Sequence, residues 1–167
     1  SADSAHAEFT FHGTKISSSL GGVFNVMNAL GAGTCAHALG ISLPAIAKGI
    51  ENTKNIAGRM EHIEAGQHFP VVVDYAHTPD SLEAIYVAFS GYEIIGVLGN
   101  TGGGRDTRKR PVMGALAEKY CSEIIFTNED PYDENPEAIL DAMAAGMHLK
   151  KPTVILAHTI PGKGISG

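Results

Sequence analysis

Gly99-Asn100-Thr101-Gly102-Gly103-Gly104-Arg105-Asp106-Thr107-Arg108-Lys109-Arg110-Pro111 joins two runs of different periodicity. Before it, Glu93-Ile94-Ile95-Gly96-Val97-Leu98 is a short, nearly continuous apolar run that reads as a buried parallel strand; after it, residues 112–120 read as an amphipathic helix opening behind Pro111. Strand, loop and helix in that order put the loop at the carboxyl end of a strand, where open α/β sheets bind ligands. Its four glycines allow a backbone to approach a ligand closely, and the four cations between Arg105 and Arg110 call for an anion.

The same alternation extends on both sides. Strands are expected at 71–75, 123–127 and 153–157, and helices at about 80–89 and 136–147. Regular spacing of this kind implies an α/β fold with a right-handed, doubly wound, Rossmann-like and mostly parallel sheet. Upstream of Gly58 the pattern differs. Glu8-Phe9-Thr10-Phe11-His12 alternates like one arm of an edge hairpin, and residues 25–39 form a helix closed by Gly40. A second helix runs from Leu43 to about Asn52, with Ser42 as N-cap and Pro44 in its first turn. A helical hairpin is not a complete domain, so residues 1–57 read as the end of one domain and 58–167 as another. Ser1 at the start and the glycine-rich turn before Gly167 give both ends the look of cuts.

A formal charge of −6 argues against non-specific binding to nucleic acid or anionic membranes, with the basic loop as a local exception. No apolar run approaches the roughly 18 residues of a spanning helix, and the basic-then-apolar order of a signal peptide is missing, so a cytoplasmic protein is expected. Cys35 and Cys121 lack C-x-x-C spacing and are expected in helices as buried free thiols. No pair among the eight histidines has metal-ligand spacing on one helix, so no metal site is expected.

Three expected strands end in polar or glycine-rich segments: Asp74-Tyr75-Ala76-His77-Thr78-Pro79, the glycine loop, and Thr127-Asn128-Glu129-Asp130-Pro131-Tyr132. In a parallel sheet such ends lie on one rim, and three together point to a ligand site where any one alone could be a solvated turn. Gly99 and Gly104 have the outer spacing of a phosphate-binding P-loop, but Arg105-Asp106 stands where Lys-Ser/Thr is required; the magnesium-binding hydroxyl is missing and the loop is not a P-loop. Arg105 instead offers a planar fork for a carboxylate or phosphate. Of Arg108, Lys109 and Arg110, at least two are expected to be solvated, because cations at a helix start oppose its dipole. His77 reads equally as a satisfied turn histidine or a nucleotide contact.

Gly22-Val23-Phe24-Asn25-Val26-Met27-Asn28-Ala29, Gly58-Arg59-Met60-Glu61, Asp74-Tyr75-Ala76-His77-Thr78-Pro79-Asp80-Ser81-Leu82-Glu83 and the glycine loop follow the order found in Mur ligases. Over roughly residues 20–164 the chain resembles the UDP-N-acetylmuramoyl-tripeptide synthetase type, whose members add the third amino acid to the peptidoglycan precursor. The resemblance implies a three-domain ligase. Here the helical remnant of the central ATPase domain precedes the C-terminal domain, while the UDP-binding domain and P-loop are missing. It also implies ATP and Mg2+ in the full enzyme, with a UDP-N-acetylmuramoyl peptide and an amino acid as substrates. Such an enzyme phosphorylates the peptide carboxylate, and the incoming amine then displaces phosphate from the acyl phosphate.

Carried over residue by residue, Asn25, Asn28, Arg59, Asp74 and His77 match nucleotide positions, and Arg105 matches the arginine that grips the amino acid's α-carboxylate. Diaminopimelate-adding members carry D-N-P-R where this chain has Glu129-Asp130-Pro131-Tyr132. The arginine for a distal carboxylate is thus replaced by Tyr132, and the acidic pair Glu129 and Asp130 favours a cationic side chain such as that of lysine. The family's G-K-G-x-E element appears only as Gly162-Lys163-Gly164-Ile165-Ser166-Gly167. No catalytic side chain and no metal ligand is assigned to this piece. Two other readings are a free-standing, non-catalytic nucleotide or amino-acid binding module, and a fragment of a folylpolyglutamate- or cyanophycin-type ligase.

Overall fold

The computed structural model describes residues 6–148 and 154–157, and it divides between Ala76 and His77 into two units. In the first unit, β1 (Ala7–Phe11) and β2 (Thr14–Ser18) form an antiparallel hairpin. His12 and Gly13 both take positive φ, as a two-residue hairpin turn demands. Phe11 and Ile16 meet Ile46 and Ala47 of α2 (Leu43–Asn52) in a small core. α1 (Val23–Ala38) lies against it where Gly33 leaves room for Phe11 and Ile46. The end of α1 follows from Gly40: its positive φ lets the Ile41 N–H reach back to Ala36 O at 3.1 Å.

β3 (Glu61–Ile63) pairs antiparallel with β4 (Val71–Val73) in the same unit. The apolar run at 71–75 was expected to open the parallel sheet. It is shorter and takes a neighbour from just upstream, because a partner reached through a short connection closes at little entropic cost.

The second unit bears out the α/β reading. β5 (Ile95–Leu98), β6 (Glu123–Thr127) and β7 (Val154–Ala157) form a parallel sheet in that order. α3 (Pro79–Ala88), α4 (Lys109–Tyr120) and α5 (Pro136–Ala144) alternate with the strands. Sequence chemistry starts each helix. Thr78 and Ser81 make a capping box for α3, and Asn135 Oδ1 accepts from the Glu137 N–H at 2.8 Å to start α5. α4 opens earlier than expected, at Lys109, with Pro111 inside its first turn, where the missing N–H has no helical partner to lose. Phe126 of β6, Met113 of α4, and Leu140 and Met143 of α5 are fully buried. Cys121 is buried just past α4, but Cys35 is exposed on α1, so the expectation of two buried thiols holds for one. Among the described residues no helix is long and apolar enough to cross a membrane.

α4 and α5 approach backbone to backbone: a Cβ on Gly114 would run into Met143 O, and one on Gly146 into Pro111 O. Gly114→Ala is therefore expected to destabilise the second unit by about 1–3 kcal/mol through overpacking. Urea unfolding checks this, and an unchanged midpoint would show that the helices can part freely.

Candidate functional site

In the first unit the expected nucleotide residues form two groups. Asn25 is buried; its Nδ2 donates to Gly21 O at 2.8 Å, bracing the turn from which α1 starts. Its Oδ1 accepts from Asn28 Nδ2 at 3.3 Å, and Asn28 is exposed one turn along the helix. Asn25 is thus committed to structure and Asn28 is the member facing solvent.

Arg59 sits on a turn in which Gly58 and Met60 both have positive φ. Glu61 ties that turn by accepting from the Gly58 N–H at 2.7 Å, and Asp74 Oδ2 accepts from the Met60 N–H at 2.8 Å. The exposed Arg59 guanidinium stands 5.2 Å from the centre of the Tyr75 ring. Arg59 and Asp74, distant in sequence, are therefore brought together, with Tyr75 as a third member that sequence reading did not assign.

In the second unit, strand register sets the geometry. Leu98 pairs with Phe126, so β5 and β6 end within one residue of each other and release the glycine loop and the 128–135 segment side by side. A Cβ on Gly99 would lie 2.6 Å from Thr127 O, and one on Gly102 would strike Pro131 O. The Gly102 N–H donates to Asp130 O at 2.9 Å. Gly103 and Gly104 both have positive φ, and Gly103 lies under the Tyr132 ring, where an added Cβ would come within 2.9 Å. Tyr132 itself takes positive φ and is 66% exposed.

The loop's charges then separate by partner. Arg108 pairs with Asp106 at 3.0 Å and is solvated; its guanidinium and backbone N–H hold the Asp106 carboxyl below the usual carboxylate range. Lys109 Nζ donates to the backbone carbonyl of His77 at 2.8 Å. Arg110 is buried, with Nη1 donating to Glu134 Oε2 at 2.7 Å and Nη2 to Thr101 O at 3.4 Å. Of the three cations, at least two of which were expected to be solvated, Arg108 is exposed, Lys109 is half-exposed with a backbone partner, and Arg110 is buried. The helix dipole argument was sound, and the protein answers it with internal acceptors for the other two. Arg105 is exposed and, among the described residues, has no hydrogen bond or ion pair. Glu129, Asp130 and Tyr132 are exposed on the neighbouring turn.

Two of the three expected rim segments thus meet in one unit. The third, 74–79, runs across the division between units, and His77 enters the second through its bond with Lys109. The Arg110–Glu134 pair was missed. Its signal was a third cation at a helix start where the one nearby acid, Asp106, can serve only one of them.

The family model for the Mur ligase, glutamate ligase domain, matches residues 58–160. The chain belongs to the Mur ligase family. A UDP-N-acetylmuramoyl-L-alanyl-D-glutamate–2,6-diaminopimelate ligase of Bacillus licheniformis is 46% identical over 75% of this Mur ligase chain and 26% of its own length. The ligase of the same name from Geobacillus thermodenitrificans is 40% identical over 92% of this chain and 32% of its own. A crystal structure of MurF from Acinetobacter baumannii shares the fold with a TM-score of 0.72 and 24% identity, covering 93% of this chain and 34% of that one. This Mur ligase chain therefore spans between a quarter and a third of the length of the curated relatives it matches.

Glu134 offers a stability test in this Mur ligase domain. The Arg110 guanidinium holds its carboxyl below the ordinary value of 4.5; the amides of Gly104 and Gly103 add to this, although neither closes a full hydrogen bond on the buried Oε1. A carboxyl lowered on folding contributes stability that is complete above its unfolded value and is lost as pH falls through the folded one. From about pH 7 to about pH 3, the urea midpoint should fall further for the wild type than for Glu134→Gln. Equal falls would show that the pair contributes nothing.

Proposed function

We propose that the chain is the C-terminal part of a cytoplasmic, ATP-dependent ligase that joins an amino acid to a UDP-N-acetylmuramoyl-dipeptide in peptidoglycan synthesis. Residues 1–57 would end its central ATP-binding domain and 58–167 would form most of its C-terminal domain. The observation that carries this reading is Arg105: three of the loop's four cations have internal partners, while Arg105 has none among the described residues and stands on a glycine loop bonded to an acidic turn. Family membership supports it.

In this reading Arg105 takes the α-carboxylate of the incoming amino acid bidentately. Glu129 and Asp130 take a cationic end of its side chain, and the Tyr132 ring walls the same space. Asn28, Arg59 and Asp74 contact ATP, with Asn25 holding Asn28 in place. ATP converts the peptide carboxylate into an acyl phosphate, the amine attacks the acyl carbon, and phosphate departs as the amide forms. Binding the amino acid by its carboxylate and side chain leaves the amine to approach, which makes orientation the main contribution of these residues. Mur ligases use Mg2+, but among the described residues no group of three or more His, Cys, Asp or Glu side chains could hold a metal ion, and no step is assigned to magnesium here.

The acidic pair and the absence of an arginine at Tyr132 favour lysine. Diaminopimelate is the second reading, supported by the names of the relatives, and it shares the side-chain amine. A free-standing binding module predicts no longer ligase at all. Translating the encoding DNA upstream of Ser1 in frame separates these: G-x-x-x-x-G-K-[ST] upstream supports the ligase, and a start codon directly before Ser1 supports the module.

For the complete ligase, ADP release with the UDP-dipeptide should depend on an amino acid, with lysine preferred. Arg105→Ala should raise the KM for that amino acid by about 100-fold, the worth of a charge-assisted bidentate contact, while the KM for ATP holds. Tighter use of diaminopimelate than lysine would overturn the lysine assignment. An unchanged amino-acid KM would remove Arg105 from the site.

A further inference from the structure

Arg110 is buried and Glu134 partly buried, below the exposed Arg105, and together they connect the same two segments. Arg110 projects from the first turn of α4, and only 6% of its side chain is exposed. Its fork reaches Thr101 O in the glycine loop and Glu134 Oε2 beyond the acidic turn. Glu134 is fixed in turn, since its N–H donates to Pro131 O at 3.0 Å, immediately before Tyr132. Its Oε1 is buried beside Gly102, 3.1 Å from where that residue's Cβ would be.

One guanidinium therefore bridges the base of the loop carrying Arg105 and the base of the turn carrying Glu129, Asp130 and Tyr132. An exposed ion pair in this role would be weak and loose. Here the arginine end is buried and its planar fork has a fixed direction, so it holds its partners at a set separation, and losing Glu134 strands the Arg110 charge.

We propose that Arg110 and Glu134 are positioning residues that set the spacing between the α-carboxylate grip of Arg105 and the side-chain end of the amino-acid site at Glu129, Asp130 and Tyr132. The inference rests on the ligase reading and adds to it a selectivity device outside the binding surface. Neither residue touches the amino acid. Their effect is on how well both ends of one substrate are held together, so it falls on amino-acid affinity and not on ATP.

The test is steady-state kinetics of the complete ligase with Glu134→Gln, Arg110→Lys and, as a control, Lys119→Ala, which breaks an exposed pair with Glu83 elsewhere on α4. Glu134→Gln should raise the KM for the amino acid about tenfold, the cost of a misplaced contact, with the KM for ATP unchanged. Arg110→Lys keeps a cation opposite Glu134 but loses the fork to Thr101, so its rise should be smaller, about threefold. Lys119→Ala should leave both KM values alone. If Glu134→Gln does not fold, Arg110→Lys carries the same split.

An unchanged amino-acid KM in the folded variants, or equal rises in both KM values, overturns the proposal and leaves the pair a plain structural strut. A wild-type enzyme that ligates no amino acid overturns the ligase reading itself, and this inference with it.

Discussion

The ending of β5 and β6 within one residue of each other is the constraint on which the second unit's chemistry depends. With Leu98 opposite Phe126, the chain leaves both strands at nearly the same height, and the two exits share a space that admits no side chain at Gly99 and Gly102. Gly99 against Thr127 O and Gly102 against Pro131 O are the consequence. Glycine there is a steric requirement, because any Cβ would push the segments apart and break the Gly102–Asp130 backbone bond. Once the backbones are sealed together at their base, the residues farther out are displayed together. Arg105 comes from one side, and Glu129, Asp130 and Tyr132 from the other.

Much of this was legible in the sequence because its causes are local. The apolar runs before the glycine loop and at 123–127, Gly40 after α1 and the glycine loop after β5 each act within a few residues, and each is found where expected, whereas Ser42 stands at the start of α2 without the side-chain cap bond its type suggested. The run at 71–75 shows the limit. Its composition suits a parallel strand equally well, and only the nearness of 61–63 as a partner decides its pairing, which no periodicity records. Cys35 illustrates the same limit for burial, since a helix pattern of small residues does not say which side will be covered.

The site residues divide along the same line. Arg105 was legible because an arginine inside a glycine run has little structural use. Arg110 was not, because its partners Thr101 and Glu134 lie on opposite sides of it in sequence and meet only through tertiary packing. Asp74 was expected as part of the nucleotide group. That it also stabilises the Met60 turn, and so the placement of Arg59 beside Tyr75, needed coordinates.

The loop's charges also explain why so basic a segment can be stable before any ligand arrives. Four cations crowded at a helix start would repel one another and the helix dipole. Asp106, the His77 carbonyl and Glu134 each take one of them, and the taking is graded by depth: solvated at Arg108, intermediate at Lys109, buried at Arg110. Each neutralisation also serves placement, since Asp106 closes the turn after Arg105, Lys109 anchors the segment entering α3, and Arg110 joins the two loop bases. The remaining charge on Arg105 is not balanced within the described residues. It sits in the open, beyond the glycines that seal the two segments together, where an anion from solution can meet it.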